Sequence, residues 1–184
     1  MKTITLIFIS LAFCNFIYPQ ILFSLGTIFL FLIYLYVHFK NSFLIVEQLR
    51  NKTVHIIGVI VSTFFLALTL PLVLKGTLPD EYYWILKTKL SLETILIIFS
   101  YSISEEFICR VWLEKIVARL SLKLKYWILT IIGIVISLHT FPISLLMVLI
   151  NIDFYLKEKN LIFIITSNFC FRLTAFLTVR LLFL

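Results

Sequence analysis

Apolar residues run along this chain in long blocks separated by short polar or basic stretches, with turn formers at the breaks. The blocks predict helices at about 4–18, 21–39, 54–74, 91–120, 126–140, 143–156 and 161–183. Pro19 ends the first, and Pro71 and Gly76 close the third. Lys40–Lys52 is polar and basic. Lys75–Lys89 reads as a loop with Pro79-Asp80 as turn signal and Tyr82, Tyr83 and Trp84 at an interface. Pro142 separates the fifth and sixth blocks, and Lys157–Asn160 is a turn. The alternation of a transmembrane β-barrel is absent. The first block has the charge and apolar core of a signal peptide but no small-residue cleavage site after it, so it reads as an uncleaved helix.

Composition turns this pattern into a class. The chain has 184 residues, of which 62% are hydrophobic and 14% charged. Soluble domains average about 25% charged residues, and one of this size could not cover so much apolar surface. The expectation is an all-α, polytopic membrane helix bundle of about seven transmembrane helices. It forms a single integral unit, with helices of an N-terminal region over 1–90 and a core over 91–184.

The net charge of +7 reads as juxtamembrane charge, because the basic residues cluster between apolar blocks. No basic face with interleaved aromatics points to nucleic acid. Alternating the seven helices puts ten of the sixteen basic residues on one side and four on the other, with Arg110 and Arg172 inside helices. The positive-inside rule then places the N-terminus in the cytoplasm and the C-terminus outside. Heavy use of Ile, Phe, Leu and Lys is compatible with an AT-rich bacterial gene and a bacterial cell membrane. Cys14, Cys109 and Cys170 lack metal-ligand spacing and read as small buried hydrophobes. His38 and His55 flank the basic loop and read as interfacial.

The chemistry gathers in Ser104-Glu105-Glu106-Phe107-Ile108-Cys109-Arg110, inside the fourth block. Charged side chains at bilayer depth cost about 2.5–3.5 kcal/mol each on insertion scales, and such groups face a bundle interior or a water-filled cavity. Residues four apart share a helix face, so Glu106, Arg110 and Glu114 form a stripe in which Arg110 can pair with either carboxylate. Glu105 is turned about 100° away, with Tyr101 and Cys109 as its same-face neighbours. Glu105 therefore has no counter-ion on its own helix and is the carboxylate left to act as a general base near neutral pH. The alternative from spacing alone is an ion-pair network fixing one helix to another. His139, at the end of the fifth block beside Pro142, is a candidate partner through a shared water.

Glu105-Glu106-x-x-x-Arg110, followed by a histidine at the end of the next helix, resembles the CAAX protease and bacteriocin-processing family of intramembrane proteases. The resemblance covers about residues 91–180. The second family motif, Phe-x-x-x-His, reads Val135-x-x-x-His139 here. The third, His-x-x-x-Asn or Asp, reads Asn168-x-x-x-Arg172. The resemblance implies an endopeptidase acting on a membrane-associated protein or peptide. The matching Glu105 and His139 would activate a water, and Asn168 would help to stabilise the oxyanion. Glu106, Arg110 and Arg172 would be supporting residues. It also implies no metal or other cofactor, and one histidine with one or two carboxylates is a thin ligand set for catalytic zinc. Arg172 has two readings: it can stabilise an oxyanion, or it can pair with Glu105 and leave a poor base. The second makes the chain a catalytically inactive relative, acting in bacteriocin immunity or as a membrane scaffold. Buried Glu and Arg also mark transport pathways, but no helix pair is interrupted by Gly or Pro as in broken-helix transporters.

Overall fold

The computed structural model describes residues 2–17, 20–39, 57, 61, 65, 87–140, 151–152 and 161–183. Among the described residues five helices of useful length appear in chain order: α1 (Lys2–Ile17), α2 (Ile21–Phe39), α3 (Leu92–Glu106), α5 (Leu122–Thr140) and α6 (Leu161–Phe183). Between α3 and α5 the backbone runs through a π-helical stretch, Phe107–Trp112, and a single turn, α4 (Leu113–Ile116). No strand occurs among the described residues. The third and sixth spans read from the sequence lie mostly outside the described residues. Within them Ile57, Val61, Phe65, Asn151 and Ile152 are helical. Tyr82, Tyr83 and Trp84 of the expected loop, His55 and the turn 157–160 lie outside them.

Two expected boundaries change. The fourth span, expected as one helix over 91–120, is interrupted after Glu106 by the π-helical stretch and ends at Ile116. The fifth begins at Leu122 rather than near 126, because Ser121 caps it: the Leu124 N–H reaches Ser121 Oγ at 3.4 Å. At 19 residues its length is about 28 Å, longer than the expected 126–140.

α3 is the centre of the packing, touching α1, α2 and α6, while the π-helical stretch rests on α1 and α5. Its start is fixed by Ser91 in extended conformation, whose hydroxyl accepts the Thr94 N–H at 3.2 Å, with Glu93 complementing the first turn. The main apolar core joins Phe8 and Ala12 of α1, Phe31 of α2, Ile103 of α3, Phe107 and Ile108 of the π-helical stretch, and Ile165 of α6. Phe8 and Phe107 are its hub, with ring centroids 4.1 Å apart, and Tyr34 meets Phe107 edge-on at 5.2 Å. A smaller core of Leu113, Leu129 and Ile152 seats α4 on α5.

By length and composition one described helix, Leu161–Leu182 within α6, is long and apolar enough to cross a membrane; Ile21–Tyr36 is a shorter apolar helix. The outward faces are apolar too. α2 turns Leu22, Leu25, Phe29, Leu32 and Tyr36 outward, and α5 turns out Trp127, Ile131 and Val135. Cys109 is buried, whereas Cys14 and Cys170 are exposed. The expectation that all three are buried is corrected for those two, since an apolar run does not say which of its faces looks inward.

Candidate functional site

The interior holds a cluster of charged and amide side chains. Glu105, Glu106, Arg110, Asn151, Asn168 and Arg172 are all buried. α3 delivers the two carboxylates from its last turn, and α6 brings Asn168 and Arg172, one turn apart, to face them.

Each carboxylate receives its own cation. Arg110 Nε lies 3.2 Å from Glu106 Oε2 within the same helical run, as the four-residue spacing predicts. Arg172 pairs with Glu105 Oε2 from across the bundle. Two negative and two positive groups thus meet out of water, the arrangement in which buried charges are tolerated. The Arg172 guanidinium also lies 4.9 Å from the ring centre of Tyr101, one turn before Glu105 on the same face.

Asn168 locks the pairs together. Its amide nitrogen donates to Glu105 Oε2 at 3.0 Å and to Glu106 Oε1 at 2.9 Å, while its Oδ1 accepts from Arg172 Nε at 2.9 Å. The orientation is self-consistent, because exchanging oxygen and nitrogen would set an acceptor against two carboxylates and a donor against a guanidinium. Both amide hydrogens are therefore committed to carboxylates. Asn151 adds a further donor to Glu106 Oε1 at 3.0 Å.

The predicted site residues divide as follows. Glu105, Glu106, Arg110, Asn168 and Arg172 form one cluster. His139 lies on α5, one residue before its end, and its side chain is outside the described residues. The side chain of Glu114 is likewise outside them, so the third member of the acidic–basic stripe is not placed. Glu105, without a counter-ion on its own helix, acquires one from α6. Asn151 was missed; the available signal was an amide directly after the apolar run Met147-Val148-Leu149-Ile150. Among the described residues no group of three or more His, Cys, Asp or Glu is placed to hold a metal ion.

The π-helical stretch was also missed. It begins at the residue after Glu106 and carries Cys109 and Arg110; the Leu113 N–H reaches back to the Ile108 carbonyl, five residues earlier. Such single-turn interruptions recur at functional sites. No Pro or Gly marks it in the sequence.

Asn15 was missed as well. It is fully buried where α1, α2 and α3 meet. It donates to Ser104 Oγ at 3.0 Å and to Ser100 Oγ at 3.3 Å and accepts from Ser24 Oγ at 3.0 Å. Ser104 precedes Glu105, so this neutral cluster fixes the other side of the helix that carries the carboxylates.

Compared with known proteins, the chain matches no family model, and neither a curated protein nor a solved structure matches it.

Proposed function

We propose that this chain is an integral membrane protein, a bundle of about seven helices with a cytoplasmic N-terminus, and that it acts as an intramembrane endopeptidase. The membrane part of the reading is supported by an inverted distribution of polarity. Arg110 is 1% exposed while Leu22 is 74% and Phe29 64% exposed, which suits hydrocarbon outside and polar groups within.

The observation that carries the enzymatic part is the meeting of Glu105 and Glu106 from α3 with Asn168 and Arg172 from α6. These are the positions of the first and third motifs in the resemblance to the CAAX protease and bacteriocin-processing family. Both contacts to Glu105 fall on Oε2, so Oε1 is the oxygen assigned to take a proton. In this mechanism Glu105 and His139 draw a proton from a water, and its oxygen adds to a peptide carbonyl carbon. As the tetrahedral intermediate collapses the C–N bond breaks and the proton passes to the leaving amine. Asn168 exchanges one carboxylate contact for the oxyanion. Glu106 and Arg110 hold the helix face. The substrate is a membrane-associated protein or peptide.

The test is hydrolysis of membrane-anchored peptides by the purified chain in proteoliposomes. Glu105→Gln and His139→Ala should each lower turnover by about 100-fold or more. Turnover equal to the parent in both variants sinks the assignment.

A second reading is favoured by a specific observation: Arg172 engages Glu105, and Asn168 has spent both its amide hydrogens. That arrangement suits a catalytically inactive relative, serving in bacteriocin immunity or as a scaffold. Here Glu105→Gln should leave the cellular phenotype of the gene intact while deletion removes it. Restoring the family pattern with Asn168→His and Arg172→Asn separates the readings further, since a gain of hydrolysis would mark a lapsed enzyme.

A further inference from the structure

The turn joining α4 to α5 combines clustered cations with exposed apolar side chains. From Lys115 to Lys125 the chain has four cations and no acid. Arg119 and Lys123 are exposed and Lys125 is partly exposed, and no described carboxylate pairs with them. Exposed apolar residues interleave with these cations: Ile116, Leu120, Leu122, Leu124 and Trp127, with Leu122 69% and Trp127 53% exposed. The positive end of the α5 dipole, capped by Ser121, falls in the same place.

Cations that alternate with outward-facing leucines fit neither bulk water nor hydrocarbon. They fit the boundary between the two, where aliphatic side chains and an indole enter the acyl region and the cations stay at headgroup level. An acidic protein surface would satisfy the charges and leave Leu122 and Trp127 in water. We propose that Ile116–Trp127 is a docking surface for anionic phospholipid headgroups, held by Arg119, Lys123 and Lys125 and anchored by Leu120, Leu122, Leu124 and Trp127. The proposal rests on the membrane part of the proposed function and not on its catalytic part.

The full chain in phosphatidylcholine nanodiscs with a minority of phosphatidylglycerol provides the test. Trp127 fluorescence is read in a Trp84→Phe/Trp112→Phe background, with bromine on the acyl chains of one lipid or the other. At equal mole fraction, brominated phosphatidylglycerol should quench Trp127 at least about twofold more strongly than brominated phosphatidylcholine. Arg119→Gln/Lys123→Gln/Lys125→Gln should abolish that excess and leave quenching by phosphatidylcholine in place. Equal quenching by the two lipids in the parent overturns the proposal, as does an excess that survives the triple substitution. Absence of quenching by either lipid also overturns it. The membrane reading is judged separately, by whether the chain resists alkaline carbonate extraction from vesicles.

Discussion

α3 holds two buried polar clusters that adjoin at neighbouring residues, Ser104 and Glu105. The Asn15 cluster is neutral and made of short side chains. Ser100 and Ser104 each donate to a carbonyl of their own helix and accept from Asn15, so both of these hydroxyls have a donor and an acceptor role. The Glu105 cluster is charged, with long Glu and Arg side chains from α3, the π-helical stretch and α6 joined by the amides of Asn151 and Asn168. Losing a member of the first leaves a hydroxyl or an amide to find another partner. Losing a member of the second leaves an ion out of water. The first suits permanent helix docking; the second concentrates free energy where a small chemical change has a large effect.

The sharpest break comes from Arg172→Met. It leaves Glu105 buried without its cation and should destabilise the protein by about 3–5 kcal/mol, read as a fall in thermal midpoint in detergent. Adding Glu105→Leu should recover most of the loss, because an apolar pair of similar volume replaces an ion pair with little net cost. A double variant as unstable as Arg172→Met alone would show that the pair is not what the cluster depends on.

Asn15→Leu should cost less, about 1–3 kcal/mol, although Asn15 makes three hydrogen bonds. A double-mutant cycle between Asn15→Ala and Ser104→Ala should give a coupling of about 0.6 kcal/mol, the usual size for a neutral interhelical bond in a membrane. The same cycle between Arg172 and Glu105 should give several times that. Equal couplings would erase the distinction between the clusters. The smallest effect is expected at Gly26→Ala. A Cβ there would lie 2.9 Å from Leu11 Cδ2, but that atom is the end of a flexible side chain, and the change should stay within about 1 kcal/mol.

The sequence showed the elements more completely than their contacts. α2 and α6 follow their apolar blocks, and the Glu106–Arg110 pair follows from a four-residue spacing on one helix. Local periodicity carries that information. What lay beyond it was long-range: that Arg172 of α6 meets Glu105, and which helices supply Asn15 and Asn151 with partners. A single amide in an apolar run announces a buried hydrogen bond but not the partner. The π-helical stretch was illegible for another reason, since an i→i+5 bond changes no residue type.

That stretch also has a mechanical consequence. A π-helical turn accommodates one residue more than the α-helix around it, so Phe107–Trp112 stores a single unit of register. Deleting Val111 would return the run to α-helical phase, and because the π-helical turn had absorbed the extra residue, α4 would keep nearly the same orientation relative to α3. The carboxylates of α3 would stay where they are, and Leu113 would stay seated on Leu129 and Ile152. The fold thus carries a spare residue between its acidic centre and the surface turn that follows it. Deleting Val111 should spare both that turn and the Glu105–Arg172 pair, read as a thermal midpoint close to the parent's.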